Sequence, residues 1–263
     1  MPHSAKFFQL EHSNTRTLEH IHFKHMKRIL LALSLLQIGL LSAQFDTNNK
    51  KDFLVTVSTD FGEMSLLLYD ITPKHKENFI KLAREGFFDG TTFHRIIAGF
   101  MIQGGDPNSK DDNPYNDGQG GPGYTVPAEF DAKLIHKKGA LSAARKGDFA
   151  NPQKASSGSQ FYIVQGKKYG ESELHDMTHR TGAEYTDEQK EIYKNIGGTP
   201  FLDKNYTVFG EVIKGLEVID KIANQPKGRN DRPNKDIKMK VSVSEIDKKK
   251  ITKMTGFKFP SKS

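Results

Sequence analysis

Hydrophobic and polar residues follow two rhythms along this chain, and each predicts its own kind of element. Residues 53–58 and 63–69 alternate or run apolar with β-branched side chains, and Thr59-Asp60-Phe61-Gly62 separates them, so they predict a hairpin. Further strands are predicted over 91–97, 100–103, 140–143, 160–165, 207–213 and 237–246. The helical rhythm occurs twice. Thr72-Pro73 opens a helix as N-cap and first turn, Phe79, Leu82, Ala83 and Phe87 form its apolar face, and Gly86 stands near its end. Leu216, Ile219, Ile222 and Ala223 mark the second. Eight strands with two helices predict a mainly β fold, a closed eight-stranded antiparallel barrel with two capping helices, because closure removes exposed edges. One core over residues 52–247 is expected, without internal repeats.

A polar segment, residues 166–199, interrupts the strand series. Thr186-Asp187-Glu188-Gln189 has the capping-box pattern, Ile192, Tyr193 and Ile196 follow, and Gly197-Gly198 ends the run. A short surface helix on a loop insertion is predicted.

The ends of the chain read differently. From Met26, Lys27-Arg28 precede an apolar run over 29–41 broken only by Ser34, Gln37 and Gly39, and Ser42-Ala43 stand before Gln44. This is the pattern of a secretory signal, residues 26–43, cleaved before Gln44. At about 1.5 Å per residue the run is too short to cross a ~30 Å hydrocarbon core. The competing reading is an uncleaved signal anchor that tethers the protein to a membrane. Residues 1–25, with His20, His22 and His25, are expected to be an upstream extension from a misplaced start. Residues 44–51 are expected to be a linker. Residues 248–263, rich in lysine, are expected to be a solvated basic tail.

Composition narrows the chemistry. With Cys 0 there are no disulfides, thiol nucleophiles or cysteine metal sites, and no lipid attachment at a cysteine after the signal. The net charge of +7 lies partly in the leader and the tail, so no nucleic-acid partner is expected. Several motif-like patterns are set aside. The loop 116–123 is rich in glycine but lacks the Lys-Ser/Thr of a phosphate cradle and reads as a turn. His175 and His179 have helical metal spacing without a third ligand. Asp106, Asp111 and Asp112 lack the register of a calcium loop. Ser156, Ser157 and Ser159 have no visible His/Asp partners, so a serine hydrolase is not expected. Neither metal nor cofactor is expected.

Three blocks remain, in order: Phe93-His94-Arg95-Ile96-Ile97-Ala98-Gly99-Phe100-Met101-Ile102-Gln103-Gly104-Gly105-Asp106, then Ser157-Gly158-Ser159-Gln160-Phe161-Tyr162-Ile163, then Phe201-Leu202-Asp203 leading to Tyr206-Thr207-Val208-Phe209-Gly210-Glu211-Val212. Together they resemble the cyclophilin-type peptidyl-prolyl cis-trans isomerases over roughly residues 52–246. The chemistry fits these residue types. Turning a peptide bond costs ~18–20 kcal/mol, because resonance keeps the amide planar. Isomerisation needs no nucleophile, metal or redox group, only an apolar slot for the proline ring and donors that favour the twisted amide. The resemblance implies that Arg95 aims its guanidinium at the pyramidal prolyl nitrogen and that Gln103 holds the substrate backbone beside it. It also implies that Phe100, Met101, Tyr162, Phe201, Leu202 and Tyr206 border the slot. The backbone of Ala144 and Arg145 and the side chain of Gln160 would bind residues before the proline. Taken singly, Phe93, Ile96, Phe100 and Met101 read equally as core.

Three positions depart from the family pattern. Phe201 replaces a tryptophan and lacks its N–H, Tyr162 replaces a phenylalanine and adds a hydroxyl that needs a partner, and Tyr206 replaces a histidine. Weak inhibition by cyclosporin is expected from the first. The resemblance, with the signal-like start, implies a monomeric periplasmic enzyme acting on proline-containing polypeptides during folding. The rival readings are a proline-peptide binding module or holdase that does not need Arg95, and an interaction protein whose site is the insertion.

Overall fold

A computed structural model describes Phe45 and residues 48–259. The expected extension and signal, residues 1–43, lie outside the described residues. Among the described residues no helix is long and apolar enough to cross a membrane.

The predicted hairpin is β1 (Lys51–Thr59) and β2 (Gly62–Leu68), paired antiparallel from Thr59 opposite Gly62 outward. The later strands are β3 (Arg95–Ile97), β4 (Met101–Gly104), β5 (Thr125–Val126), β6 (Ala140–Ala143), β7 (Ser156–Ser157), β8 (Phe161–Val164), β9 (Val208–Lys214) and β10 (Lys240–Asp247). Eight of them form one antiparallel sheet in the order β10-β1-β2-β9-β6-β8-β4-β3, and β5 pairs with β7 separately. The fold is thus mainly β, as expected. The ladder order runs from β10 at one end to β3 at the other. The segments just before those two strands meet at a bridge between Thr92 and Lys238, where Phe93 N–H donates to Ile237 O and Met239 N–H to Thr91 O.

Side chains alternate across this sheet and sort into two apolar clusters. Val55, Leu66, Ile102, Phe161 and Ile163 point to one face, where α1 (Pro73–Arg84) and α4 (Leu216–Ala223) cover them. Phenylalanine fills this cluster: Phe79 stacks on Phe88 at 4.8 Å, and Phe161 meets both edge-on. Leu54, Leu67, Met101, Tyr162 and Val164 point to the other face. Period-two alternation therefore separates Phe161 from Tyr162 and Ile102 from Met101, and it makes the second face available for a site.

Two segments depart from expectation. The insertion holds two helices, α2 (Glu171–Thr181) and α3 (Asp187–Asn195), where one was predicted. The capping box at Thr186 is present, with Gln189 N–H donating to Thr186 Oγ1 and Thr186 N–H to Gln189 Oε1. Rather than lying on the surface alone, the pair encloses a small core of Ile135, Tyr169, Leu174, Met177 and Tyr193. The α2 stretch has only Leu174 and Met177 buried, too few to give a clear helical rhythm. The expected basic tail is also ordered: α5 (Lys248–Thr255) buries Ile251 completely. Phe45, in the expected linker, packs edge-on against Tyr69, Phe257 and Phe259. Lys249, Lys250 and Lys253 of α5 are exposed while Ile251 docks, a division that net charge does not reveal.

Candidate active site

Strand register builds the site. Arg95 on β3 lies opposite Gln103 on β4, Gln103 opposite Tyr162 on β8, and Tyr162 opposite Ser142 on β6. One row across four strands thus joins a cation, an amide and an aromatic ring. Arg95 Nη1 approaches Gln103 Oε1 at 3.4 Å, and Gln103 Nε2 donates to Gln160 Oε1 at 3.3 Å. Gln160 Nε2 in turn donates to Gly120 O at 2.8 Å. Arg95 keeps 41% of its side chain exposed, with Nε 3.8 Å from Asp231 Oδ2. It is a placed guanidinium still open to a ligand.

Beside this polar row lies the apolar patch. Met101, Tyr162 and Leu202 are buried in the second cluster, with Phe100, Ala144 and Tyr206 partly buried against it. Phe100 and Phe201 sit with ring centroids 5.5 Å apart, and Phe201 is exposed at the rim. Tyr206 meets Tyr162 edge-on at 6.0 Å and carries the Arg145 guanidinium 4.4 Å above its ring. Arg145 is further held by Asn205 O and Asp148.

Two of the expected substrate contacts also have partners within the protein. The Gln160 side chain is buried and engaged at both ends, and it braces Gln103. The backbone of Ala144 is likewise taken, its N–H donating to Gln160 O and its carbonyl accepting from Ser157 N–H. The remaining expected residues are gathered at one face. The glycine-rich loop packs over this row as a turn: a Cβ on Gly120 would lie 2.2 Å from Asp106 Oδ1, so only glycine allows that approach.

A model of the family described as cyclophilin type peptidyl-prolyl cis-trans isomerase/CLD matches residues 54–243 of this chain. The chain belongs to this family. A relative from Staphylococcus haemolyticus with a provisional peptidyl-prolyl cis-trans isomerase name is 38% identical over 187 residues, covering 70% of this chain and 86% of the relative. A protein of Streptococcus pyogenes, provisionally named a bifunctional phosphatase/peptidyl-prolyl cis-trans isomerase, is 39% identical over 213 residues; this chain covers 41% of its length. Among solved structures, a cyclophilin-type isomerase of Cryptosporidium parvum superposes with TM-score 0.55 at 26% identity, covering 74% of this chain and 98% of that one. The same protein in the presence of the dipeptide Ala-Pro gives TM-score 0.54 at 25% identity, covering 73% of this chain and 98% of that one.

Several residues around the cyclophilin site escaped the sequence reading. Ser156 does have partners: His75 Nε2 lies 2.9 Å from its Oγ, and His75 Nδ1 lies 2.6 Å from Glu129 Oε2. Ser156 is 1% exposed, so no substrate reaches it, and the trio is structural. Glu129 also accepts from Lys74 and His75 N–H at the start of α1. It supplies the cap that Thr72 does not, since the Thr72 hydroxyl bonds back to Tyr69 O. His175 and His179 bring their Nε2 atoms to 3.0 Å, but no group of three or more metal-ligating side chains occurs among the described residues. His136 and Asp203 were also missed as partners of Tyr162. The one available signal was the Tyr162 hydroxyl itself, which demands a partner in a buried strand.

Burial lowers the pKa of both His75 and His94. Glu129 opposes the shift at His75 and Lys74 reinforces it; Asp106 and Asp117 oppose it at His94 and Arg95 reinforces it. Neither His94 ring nitrogen has a partner. A group with a depressed folded pKa contributes stability that is complete above its unfolded value of 6.5 and is lost as pH falls toward the folded value. The melting temperature is therefore expected to fall between pH 7 and pH 5, and His94→Met should flatten that slope. Thermal melts across this range decide it, and identical slopes in the two proteins would refute the assignment.

Proposed function

We propose that this cyclophilin accelerates X-Pro isomerisation in exported polypeptides, with Arg95 favouring the twisted amide. The observation that carries this reading is the juxtaposition of an open guanidinium, braced by Gln103, with an apolar patch of Phe100, Met101, Tyr162 and Leu202. In a planar amide the prolyl nitrogen shares its lone pair with the carbonyl and offers a donor nothing. As the bond twists, the nitrogen becomes pyramidal and basic, so a guanidinium fixed there stabilises the transition state more than the ground state. The apolar patch seats the ring in both states and sets affinity. The backbone around Arg145 orients the residues before the proline.

A protease-coupled assay on a proline peptide tests the activity, and a rate no greater than the spontaneous one would end the isomerase reading. Export rests on the signal-like residues 26–43. N-terminal sequencing of protein recovered from the periplasmic fraction is expected to begin at Gln44. Recovery only from the cytoplasm, beginning at Met1 or Met26, would overturn export while leaving the enzyme intact.

A further inference from the structure

The insertion of residues 166–199 grips the site through a run of buried polar groups. Tyr193 on α3 is fully buried and donates its hydroxyl to Asp203 Oδ2 at 2.5 Å. Asp203 Oδ1 accepts from the His136 backbone N–H at 2.8 Å and lies 2.6 Å from His136 Nδ1. A carboxylate oxygen accepts, so His136 Nδ1–H donates to Asp203 and Nε2 is the ring nitrogen left for a second partner. The Tyr162 hydroxyl stands 2.9 Å from that Nε2, within hydrogen-bond distance. The two rings also stack, 10° from parallel at 6.0 Å.

We infer that the insertion is a working part of the isomerase site, with Tyr193, Asp203 and His136 acting as positioning residues that fix the Tyr162 ring in the proline slot. The inference rests on the isomerase reading above. Each link is short, directional and shielded from water, where hydrogen bonds are strong and unpaired donors costly. Burial holds the Tyr162 and Tyr193 hydroxyls well above their ordinary pKa, so both remain donors. The Phe201 edge of the slot is tied in as well. Tyr185 donates to Pro200 O at 2.9 Å, in the 3-10 turn Pro200–Leu202 that carries Phe201 and Leu202. Thr199 N–H donates to His136 O at 2.8 Å. The insertion therefore holds two adjacent walls of the slot, the Tyr162 hydroxyl by the relay and the Phe201 turn by Tyr185.

A double-mutant cycle tests the relay. Tyr193→Phe keeps the ring packed and removes only the hydroxyl. It is expected to lower kcat/KM by about threefold to tenfold, mainly through KM. Tyr162→Phe disconnects the slot from the relay, so adding Tyr193→Phe to it should cause less than about a further 1.5-fold loss. Equal losses in both backgrounds would mean that Tyr193 acts only on stability, and the inference would fail. Nitrogen NMR of His136 in the unmodified protein gives a second readout that needs no variant. A protonated Nδ1 with Nε2 in a hydrogen bond is expected, and a ring protonated at Nε2 alone would overturn the relay. An inactive wild type would sink the isomerase reading instead, leaving the NMR result to decide the relay.

Discussion

Replacing Arg95 with alanine is expected to lower kcat/KM for a proline peptide by about two orders of magnitude while leaving the fold intact. Removing a single donor aimed at transition-state charge costs about 10²–10³-fold in well-studied sites. The lower end applies here because Arg95 is partly open to water, where its field is screened until substrate covers it. The loss should appear mostly in kcat, because the apolar patch proposed to seat the proline ring is untouched. Arg95→Lys should recover little, since an ammonium on a flexible stem lacks the planar fork that Gln103 braces. Stability should change by no more than about 0.5 kcal/mol, as for an exposed side chain without a buried partner. Protease-coupled kinetics beside thermal melts separate the two effects. Equal rates for wild type and Arg95→Ala would remove Arg95 from the mechanism, and would favour a slot that binds proline without turning it over.

The largest expected effect on stability comes from Asp203. Its carboxylate is 3% exposed and accepts from the Tyr193 hydroxyl, the His136 backbone N–H and His136 Nδ1. Asp203→Ala would leave three buried donors without an acceptor. Breaking a buried charged network in this way costs about 3–5 kcal/mol. For a domain of this size that corresponds to a fall in melting temperature of roughly 6–20 °C. Asp203→Asn retains the volume and one carbonyl acceptor and should lose markedly less. If the alanine variant melted within about 2 °C of wild type, the carboxylate would not be the hub of this network.

Much of the fold follows from local pattern. The hairpin of β1 and β2 appears in the alternation of residues 53–58 and 63–69 about a four-residue turn. Helices α1 and α4 appear in apolar residues spaced by three and four. The pairing of Arg95 with Gln103 also follows, because a tight β3–β4 connection allows few registers and the intervening Gly99 takes a positive φ. Residues of one hairpin meet within a few positions of each other, so their period and turn chemistry carry the information.

Other features depend on segments far apart in sequence. Glu129 caps α1 from 55 residues away, in place of Thr72. Gln160 turns from a free amide into a brace because Gly120 and Gln103 reach it from other segments. Burial of Ile251 and Phe45 orders a lysine-rich end that charge alone describes as solvated. The Tyr162 hydroxyl finds His136, and through it Asp203 and Tyr193, only once β6, β8 and the insertion are packed together. A hydrogen bond needs atoms placed to within a few tenths of an ångström, and no periodicity specifies that between distant segments. The sequence by itself determined the eight strands of the main sheet, the two main helices and the residue types of the proposed proline slot. Tertiary packing decided which of those residues stay open to solvent and which are engaged in holding the others.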